Sequence, residues 1–192
     1  MKKSILILLA LAFINCKKQP DTKISSGSNT VEITPDSERV AVNDTIPDMH
    51  SADPIENIRK RVAYINTAPL DKKHYEFMCD EKMKVDYFYD NGELVKVAVD
   101  FGTVGDVYAK EGYYYNKGKL IFNYEYTEGG PACEGCIETN EYRSYVQNDQ
   151  VIRYLKNKGV AKCRTCDFNA RSRQYKVLKA TNEQEVKAAL CR

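Results

Sequence analysis

Apolar residues recur at three- and four-residue spacing at Ile55, Ile58, Val62 and Ile65, directly after Asp53-Pro54. That spacing lines one face of a helix, and an acidic N-cap followed by proline in the first turn starts one cleanly. Asn66 and Pro69 end it, and Arg59, Lys60 and Arg61 fall mostly on the opposite face. From Met83 the period changes to two. Val85, Tyr87 and Tyr89 alternate with Lys84, Asp86 and Phe88, Asp90-Asn91-Gly92 turns the chain, and Val95, Val97, Val99 and Phe101 are expected on one face of the returning strand. Asn-Gly between alternating strands signals a two-residue hairpin, because both central residues need positive φ.

The unit recurs. Tyr87 to Val95 (YFYDNGELV) matches Tyr113 to Ile121 (YYYNKGKLI) and, more loosely, Ser144 to Ile152 (SYVQNDQVI), with starts 26 and then 31 residues apart. Three hairpins in series predict an α+β fold: an antiparallel meander of about six strands, with the N-terminal helix packed on one face. Near the C-terminus Thr181 with Gln184 reads as a capping box, and Val186 and Leu190 follow at helical spacing, so a short final helix is expected.

Ahead of the first helix the pattern is different. Ile5 to Ile14 is an apolar run behind Lys2-Lys3, too short for the roughly 20 residues of a membrane span but shaped like a secretory signal. From Lys17 to Met49 the few apolar residues show no sustained period and stand among prolines, acids and the run Ser25-Ser26-Gly27-Ser28. Such a stretch buries too little surface to offset its ordering entropy. The expected division is a signal peptide at 1–15, a tether at 16–54 and one domain at 55–192; an edge strand from Thr30–Ile33 or Arg39–Val42 is the alternative for part of the tether.

The cysteine that ends the apolar run changes the picture. Leu11-Ala12-Phe13-Ile14-Asn15-Cys16 resembles the lipobox of bacterial lipoproteins, in which the cysteine is lipidated and becomes the mature N-terminus. Asn15 before it and Lys17-Lys18 after it are similar to the looser lipoboxes of bacteroidete-type lipoproteins. The resemblance implies lipidation at Cys16 with palmitate-type acyl chains. The protein would then be anchored to a bacterial membrane, the outer membrane by expectation, and face the periplasm or the cell surface. Two or more acyl chains hold stably, since each buried methylene contributes about 0.8 kcal/mol. The hairpin unit is similar to the Tyr-Asp-Asn-Gly-Lys-Leu repeats of secreted bacterial proteins related to membrane-occupation repeats, and the whole to small helix-plus-sheet lipoproteins of unassigned function. Neither resemblance supplies a catalytic residue.

Charge excludes one class of partner. The chain carries a formal net charge of +2, which falls to 0 once Lys2 and Lys3 leave with the signal. The tether holds a net −3, which leaves +3 on residues 55–192. Nucleic-acid binding needs a concentrated basic face, so no nucleic-acid partner is expected.

Seven cysteines less the lipidated Cys16 leave six, an even number suited to an oxidising compartment. Cys133-Glu134-Gly135-Cys136 and Cys163-Arg164-Thr165-Cys166 bracket one hairpin, and a six-stranded meander places both loops at the same end of the sheet. Four converging sulfurs allow a structural zinc, since the 26-residue interval is close to that of zinc ribbons. Ile137 and Asp167 stand where zinc knuckles usually carry glycine. Disulfides within or across the pairs are the other reading, and an exported chain favours them. Redox exchange at Cys133 and Cys136 would need the motif at a helix start after a parallel strand, which the pattern does not offer. Cys79 and Cys191 remain as a pair that would clip the C-terminus to the sheet.

No catalytic constellation emerges. His50 lies in the tether and His74 ahead of Met83, no Gly-x-Ser-x-Gly accompanies either, and Asp86, Asp100 and Asp106 fit exposed strand faces. Fourteen tyrosines without a tryptophan admit two readings. One is cross-strand aromatic pairing, at about 0.2–1 kcal/mol per pair. The other is an exposed aromatic face that binds a glycan or peptide. The function expected is therefore a non-enzymatic envelope lipoprotein that engages an envelope protein or glycan, without a cofactor. The alternative is a zinc- or thiol-dependent protein using Cys133, Cys136, Cys163 and Cys166.

Overall fold

A computed structural model of the chain describes residues 52–131, 133 and 135–191. The expected signal peptide, Cys16, His50 and the expected tether as far as residue 51 lie outside the described residues. Among the described residues no helix is long and apolar enough to cross a membrane.

Helix α1 runs Pro54–Thr67. The Asp53 carboxylate accepts the Ile55 amide at 2.9 Å, satisfying one of the donors a helix start leaves unpaired. Eight strands follow: β1 Asp71–Met78, β2 Lys82–Asp90, β3 Glu93–Val104, β4 Val107–Asn116, β5 Lys119–Gly129, β6 Glu138–Gln147, β7 Gln150–Lys156 and β8 Gly159–Val160. They form one antiparallel sheet in sequence order. Two helices close the chain, α2 Arg173–Lys179 and α3 Glu183–Leu190.

The expected meander is present, with eight strands instead of six. β1 (DKKHYEFM) buries only Tyr75 and Phe77, so its charged edge hides the period, and β8 spans two residues. The hairpins at 91–92, 117–118 and 148–149 share one device, with both central residues at positive φ: Asn91 and Gly92 at 49° and 83°, Lys117 and Gly118 at 50° and 70°, Asn148 and Asp149 at 51° and 64°. A fourth turn of this kind, Asn157 and Lys158 at 48° and 70°, makes the β7–β8 hairpin.

Each copy of the unit also carries a bulge at the same place. The pairing shifts between Phe88 and Tyr89, between Tyr114 and Tyr115, and between Tyr145 and Val146, which leaves Val95, Ile121 and Ile152 as the extra residues. The bulge corrects the expected face of β3. Val97 and Val99 share one core cluster, whereas Val95, fully buried, joins the other under α1.

Those two clusters lie on opposite sides of the sheet, since the neighbouring residues Tyr114 and Tyr115 belong to one each. On the first side α1 packs Ile58 and Ile65 onto Val95, Tyr114, Phe122, Tyr145 and Leu155. Arg61 departs from its expected outer position: it lies three residues after Ile58 and four before Ile65, is 4% exposed, and reaches to 3.5 Å from Asp90 on the β2–β3 turn. On the second side α2 and α3 cover Val85, Tyr87, Val97, Val99, Tyr113 and Tyr115 with Tyr175, Val177, Val186 and Leu190. The helices therefore cover both faces, where the sequence predicts cover on one.

Tyrosine hydroxyls fix α2 to the strands. Tyr87 donates to the Val177 carbonyl at 3.0 Å and Tyr115 to the Gln174 carbonyl at 2.7 Å, while Tyr175 accepts the Leu120 amide at 3.1 Å and donates to Asp149. Burial pushes the pKa of Tyr87 and Tyr115 well up, which keeps both hydroxyls as donors. At α3 the cap is Asn182, accepting the Glu185 amide at 3.0 Å, while Glu185 accepts the Thr181 amide at 2.8 Å. The capping box thus sits one residue later than expected, on Asn182 and Glu185 instead of Thr181 and Gln184.

Candidate binding groove

The α1 side of the sheet is only half covered. Register places Gly112, Lys110 and Tyr108 of β4 beside Tyr124, Tyr126 and Glu128 of β5, and these beside Arg143, Glu141 and Thr139 of β6. A groove of about 330 Å3 runs where the helix ends and this open half begins. Arg59, Val62, Ala63 and Asn66 form its helix wall; Tyr114, Phe122, Tyr124, Tyr145 and Arg143 form its floor.

The floor is an aromatic ladder across three strands. Tyr114 meets Phe122 edge-on at 5.5 Å, and Phe122 meets Tyr145 at 5.1 Å. Gly112 makes room for it, since a Cβ there would stand 3.3 Å from the Tyr114 ring and 3.8 Å from the Tyr124 Cβ. Asn66 Oδ1 accepts the Tyr114 hydroxyl at 3.0 Å and Lys96 Nζ at 2.8 Å, holding helix to floor. The ladder continues outward to Tyr126 and Tyr108, in edge contact at 6.3 Å, with Lys110 Nζ 4.6 Å from the Tyr126 ring centre.

Arginines surround Tyr145. The Arg59 guanidinium lies 5.7 Å from its ring centre, Arg153 is its cross-strand partner on β7, and Arg143 stands two residues away on the same face of β6. Arg59 keeps a loose contact with Glu56 at 3.9 Å. Arg143 lies 2.7 Å from Glu141 Oε1, a close ion pair out of hydrogen-bond alignment, and Tyr124 donates to Glu141 Oε2 at 3.2 Å. Burial, and then the Glu141 charge, push the Tyr124 pKa up to about 12. The Arg153 Nε is buried without a hydrogen-bond partner.

Comparison with protein-family models, curated proteins and solved structures finds no significant match for this chain.

The cysteines lie elsewhere, and they do not converge. Cys133 and Cys136, Cys163 and Cys166, and Cys79 and Cys191 each lie at disulfide distance, with Cα separations of 5.3, 5.4 and 5.5 Å. Cys136 stands just before β6 begins at Glu138. After the β7–β8 turn the chain doubles back along β7, so that the Val151 amide donates to the Cys166 carbonyl at 2.8 Å. Val151 pairs with Val146, eight residues along β6 from Glu138, about 26 Å at the usual strand rise. This corrects the expectation of four sulfurs at one end of the sheet. The β7–β8 hairpin, unforeseen in the sequence, carries one pair away from the other. The zinc reading loses its ligand set, and among the described residues no group of three His, Cys, Asp or Glu could hold a metal. No helix starts at either pair, so neither has the dipole that activates a redox thiol.

His74 lies on β1, not ahead of the first strand. Its Nδ1 is 2.6 Å from Asp86 Oδ1 on the exposed face, with Lys72 at 3.3 Å from the other oxygen. Burial opposes ionisation of Asp86, but the hydrogen bonds from His74 and Lys72 outweigh it and hold the carboxyl below its usual range.

One polar cluster escapes sequence reasoning. On the α2 side Glu111 and Glu125 are direct cross-strand partners, each matched by an arginine from outside the strands: Arg173 on Glu111 at 2.9 Å and Arg164 on Glu125 at 2.5 Å. Arg164 also stacks over Tyr142 at 3.8 Å. Burial raises the Glu111 pKa, against the pull of Arg173 and the Tyr113 hydroxyl. Two glutamates at alternate-face positions on neighbouring strands are the only signal, and it needs the register to be seen.

Proposed function

We propose that this chain is a lipid-anchored protein of the bacterial envelope that acts by binding, with the groove beside α1 as the site and a glycan as the ligand. The carrying observation is the aromatic floor, whose inner rings Tyr114 and Phe122 are buried under α1 while Tyr124 and Tyr126 stay part-exposed beyond it. Sugar rings present an apolar face of C–H groups that stacks on such rings, while hydroxyls take hydrogen bonds from the polar groups at the edge. Asn66, Lys96, Glu141 and Arg143 provide that edge. The open-ended form suits a chain-like ligand more than a small molecule.

The anchor at Cys16 and placement at the outer membrane, facing the periplasm or the cell surface, belong to the same proposal. They rest on the apolar run, the cysteine that ends it and the two lysines after it. Fatty-acid labelling of cells expressing the full chain tests the anchor: label is expected in the parent and absent in Cys16→Ala, and equal label in both refutes it. For the groove, the full chain in neutral detergent is passed through gels containing soluble polysaccharides. Retardation by at least one polysaccharide is expected, lost in Tyr124→Ala; unchanged mobility in all of them refutes glycan binding.

A further inference from the structure

We infer that the α1 end of the groove selects an acidic polysaccharide, with a carboxylate or sulfate group seated among Arg59, Arg143 and Arg153 around Tyr145. This rests on the glycan reading above and names the ligand class. Arginines from three elements stand beside that ring: the Arg59 guanidinium of α1 lies over it, Arg143 is two residues away on the same face of β6, and Arg153 of β7 is its cross-strand partner. The acids within reach are Asp53, Glu56 and Glu141. Glu56 touches Arg59 only at 3.9 Å, with both side chains close to half exposed, a contact that contributes little in water. Glu141 is shared between Arg143 and the Tyr124 hydroxyl. Arg153 keeps a buried Nε with no acceptor, an unfilled donor of the kind that folded proteins rarely leave. The cluster thus leaves Arg59 only loosely paired at the groove wall and one donor of Arg153 without a partner.

An oxyanion answers both features. Carboxylate and sulfate groups accept paired N–H donors from arginine, and such charge-assisted bonds are stronger than neutral ones. Tyr124, part-exposed, lies next along the floor, so a sugar ring bearing the acid would stack there while its charge reaches the arginines. A membrane surface is the competing anionic partner. It is disfavoured because Arg59 and Arg143 stand at the wall and floor of a concave groove, where a chain can enter and a flat headgroup layer meets α1 first.

The test is affinity electrophoresis of the full chain in neutral detergent against polygalacturonate, dextran sulfate and neutral dextran, at two salt concentrations. Flotation with vesicles of phosphatidylglycerol or phosphatidylcholine runs beside it. Arg59→Gln is the main variant, since its side chain is 47% exposed and its loss leaves the core intact. Arg143→Gln with Arg153→Gln is the second, accepted only if thermal unfolding is unchanged, and Lys176→Gln with Lys179→Gln on α2 controls for general charge. The expected result is binding to polygalacturonate, dextran sulfate or both, weakening with salt, and falling about tenfold for Arg59→Gln, with the α2 variant unchanged. Polygalacturonate alone or dextran sulfate alone would identify the acid as carboxylate or sulfate. Equal binding of neutral dextran, insensitive to the arginine variants, overturns the acidic selection and leaves the groove reading standing. No polysaccharide binding overturns both. Equal loss in the α2 variant, or arginine-dependent flotation with phosphatidylglycerol in place of glycan binding, overturns the inference in favour of general charge or a lipid surface.

Discussion

The pairing of Cys79 with Cys191 gives the sharpest quantitative expectation. The two residues are 112 apart in sequence, so the bond closes a loop that takes in nearly the whole domain. In the chain-entropy account a loop of that size constrains the unfolded chain by about 5 kcal/mol, whereas the four-residue loops of Cys133–Cys136 and Cys163–Cys166 each contribute about 2 kcal/mol. Replacing Cys79 and Cys191 together by alanine should therefore destabilise the oxidised protein by about 5 kcal/mol, at roughly 3 °C of melting temperature per kcal/mol for a domain of this size. Cys163→Ala with Cys166→Ala should lower it by less than half as much. The assay is urea unfolding of the non-reduced protein followed by far-UV circular dichroism, with non-reducing peptide mapping to verify the bonds. The denaturant slope should also rise in the Cys79/Cys191 variant, because its unfolded chain exposes more surface once the clip is gone. A loss no larger than that of the short-loop variant, or free thiols at Cys79 and Cys191 in the parent, would refute the reasoning.

Other expectations concern single atoms. Tyr87→Phe removes the donor to the Val177 carbonyl at a residue 1% exposed and should cost about 1–2 kcal/mol, read by the same unfolding curves; a neutral effect would mean that α2 is not held by that bond. Asp149→Asn keeps a residue that tolerates φ 64° but removes the charge that Tyr175 and Lys119 stabilise, and should cost about 1 kcal/mol at neutral pH. Because those two partners hold the Asp149 pKa below its unfolded value near about 4, its contribution is present above that pH and lost as pH falls through the folded value. The gap between parent and variant should close in acid, and a gap that widens there would count against the assignment. Gly129→Ala would set a Cβ 2.2 Å from the Asp106 carbonyl oxygen, while Gly118→Ala meets nothing within 4 Å and only strains φ 70°. The first should therefore cost more than the second, for which about 1–2 kcal/mol is expected; the reverse order in thermal unfolding would refute the close approach.

The periodicity of the chain carried α1, the hairpins and their turns, because those elements are dictated by local chemistry: an Asp-Pro start, Asn-Gly and Lys-Gly at positive φ, alternation on either side. What it could not carry depends on partners distant in sequence. β1 becomes a strand by pairing with β2, although four of its first residues are exposed and charged or polar. α2 has only Tyr175 and Val177 as buried residues and exists because the sheet offers Tyr87 and Tyr115 as hydroxyl partners. The bulge at Val95 moves one side chain to the other face, an event invisible to strict alternation. At the site, strand alternation alone puts Tyr124 and Tyr126 on one face. The gathering of Arg59, Arg143 and Arg153 around Tyr145 was not legible, because it joins three elements whose register no sequence period records.

The order of the sheet also fixes the order in which the molecule can assemble. Since every strand pairs with its neighbours in sequence, each hairpin can zip onto the last as the chain emerges, without waiting for remote segments. The side bearing Tyr87, Tyr113 and Tyr115 is different, because its cover is α2 and α3, which are made after all eight strands. Until they arrive, a broad apolar surface is open to water and to other chains, which is the condition under which nascent sheets associate wrongly. Their docking, sealed when Cys191 meets Cys79, is therefore the committing step, and truncation of the last twenty or so residues should leave a chain rich in strand but prone to aggregate.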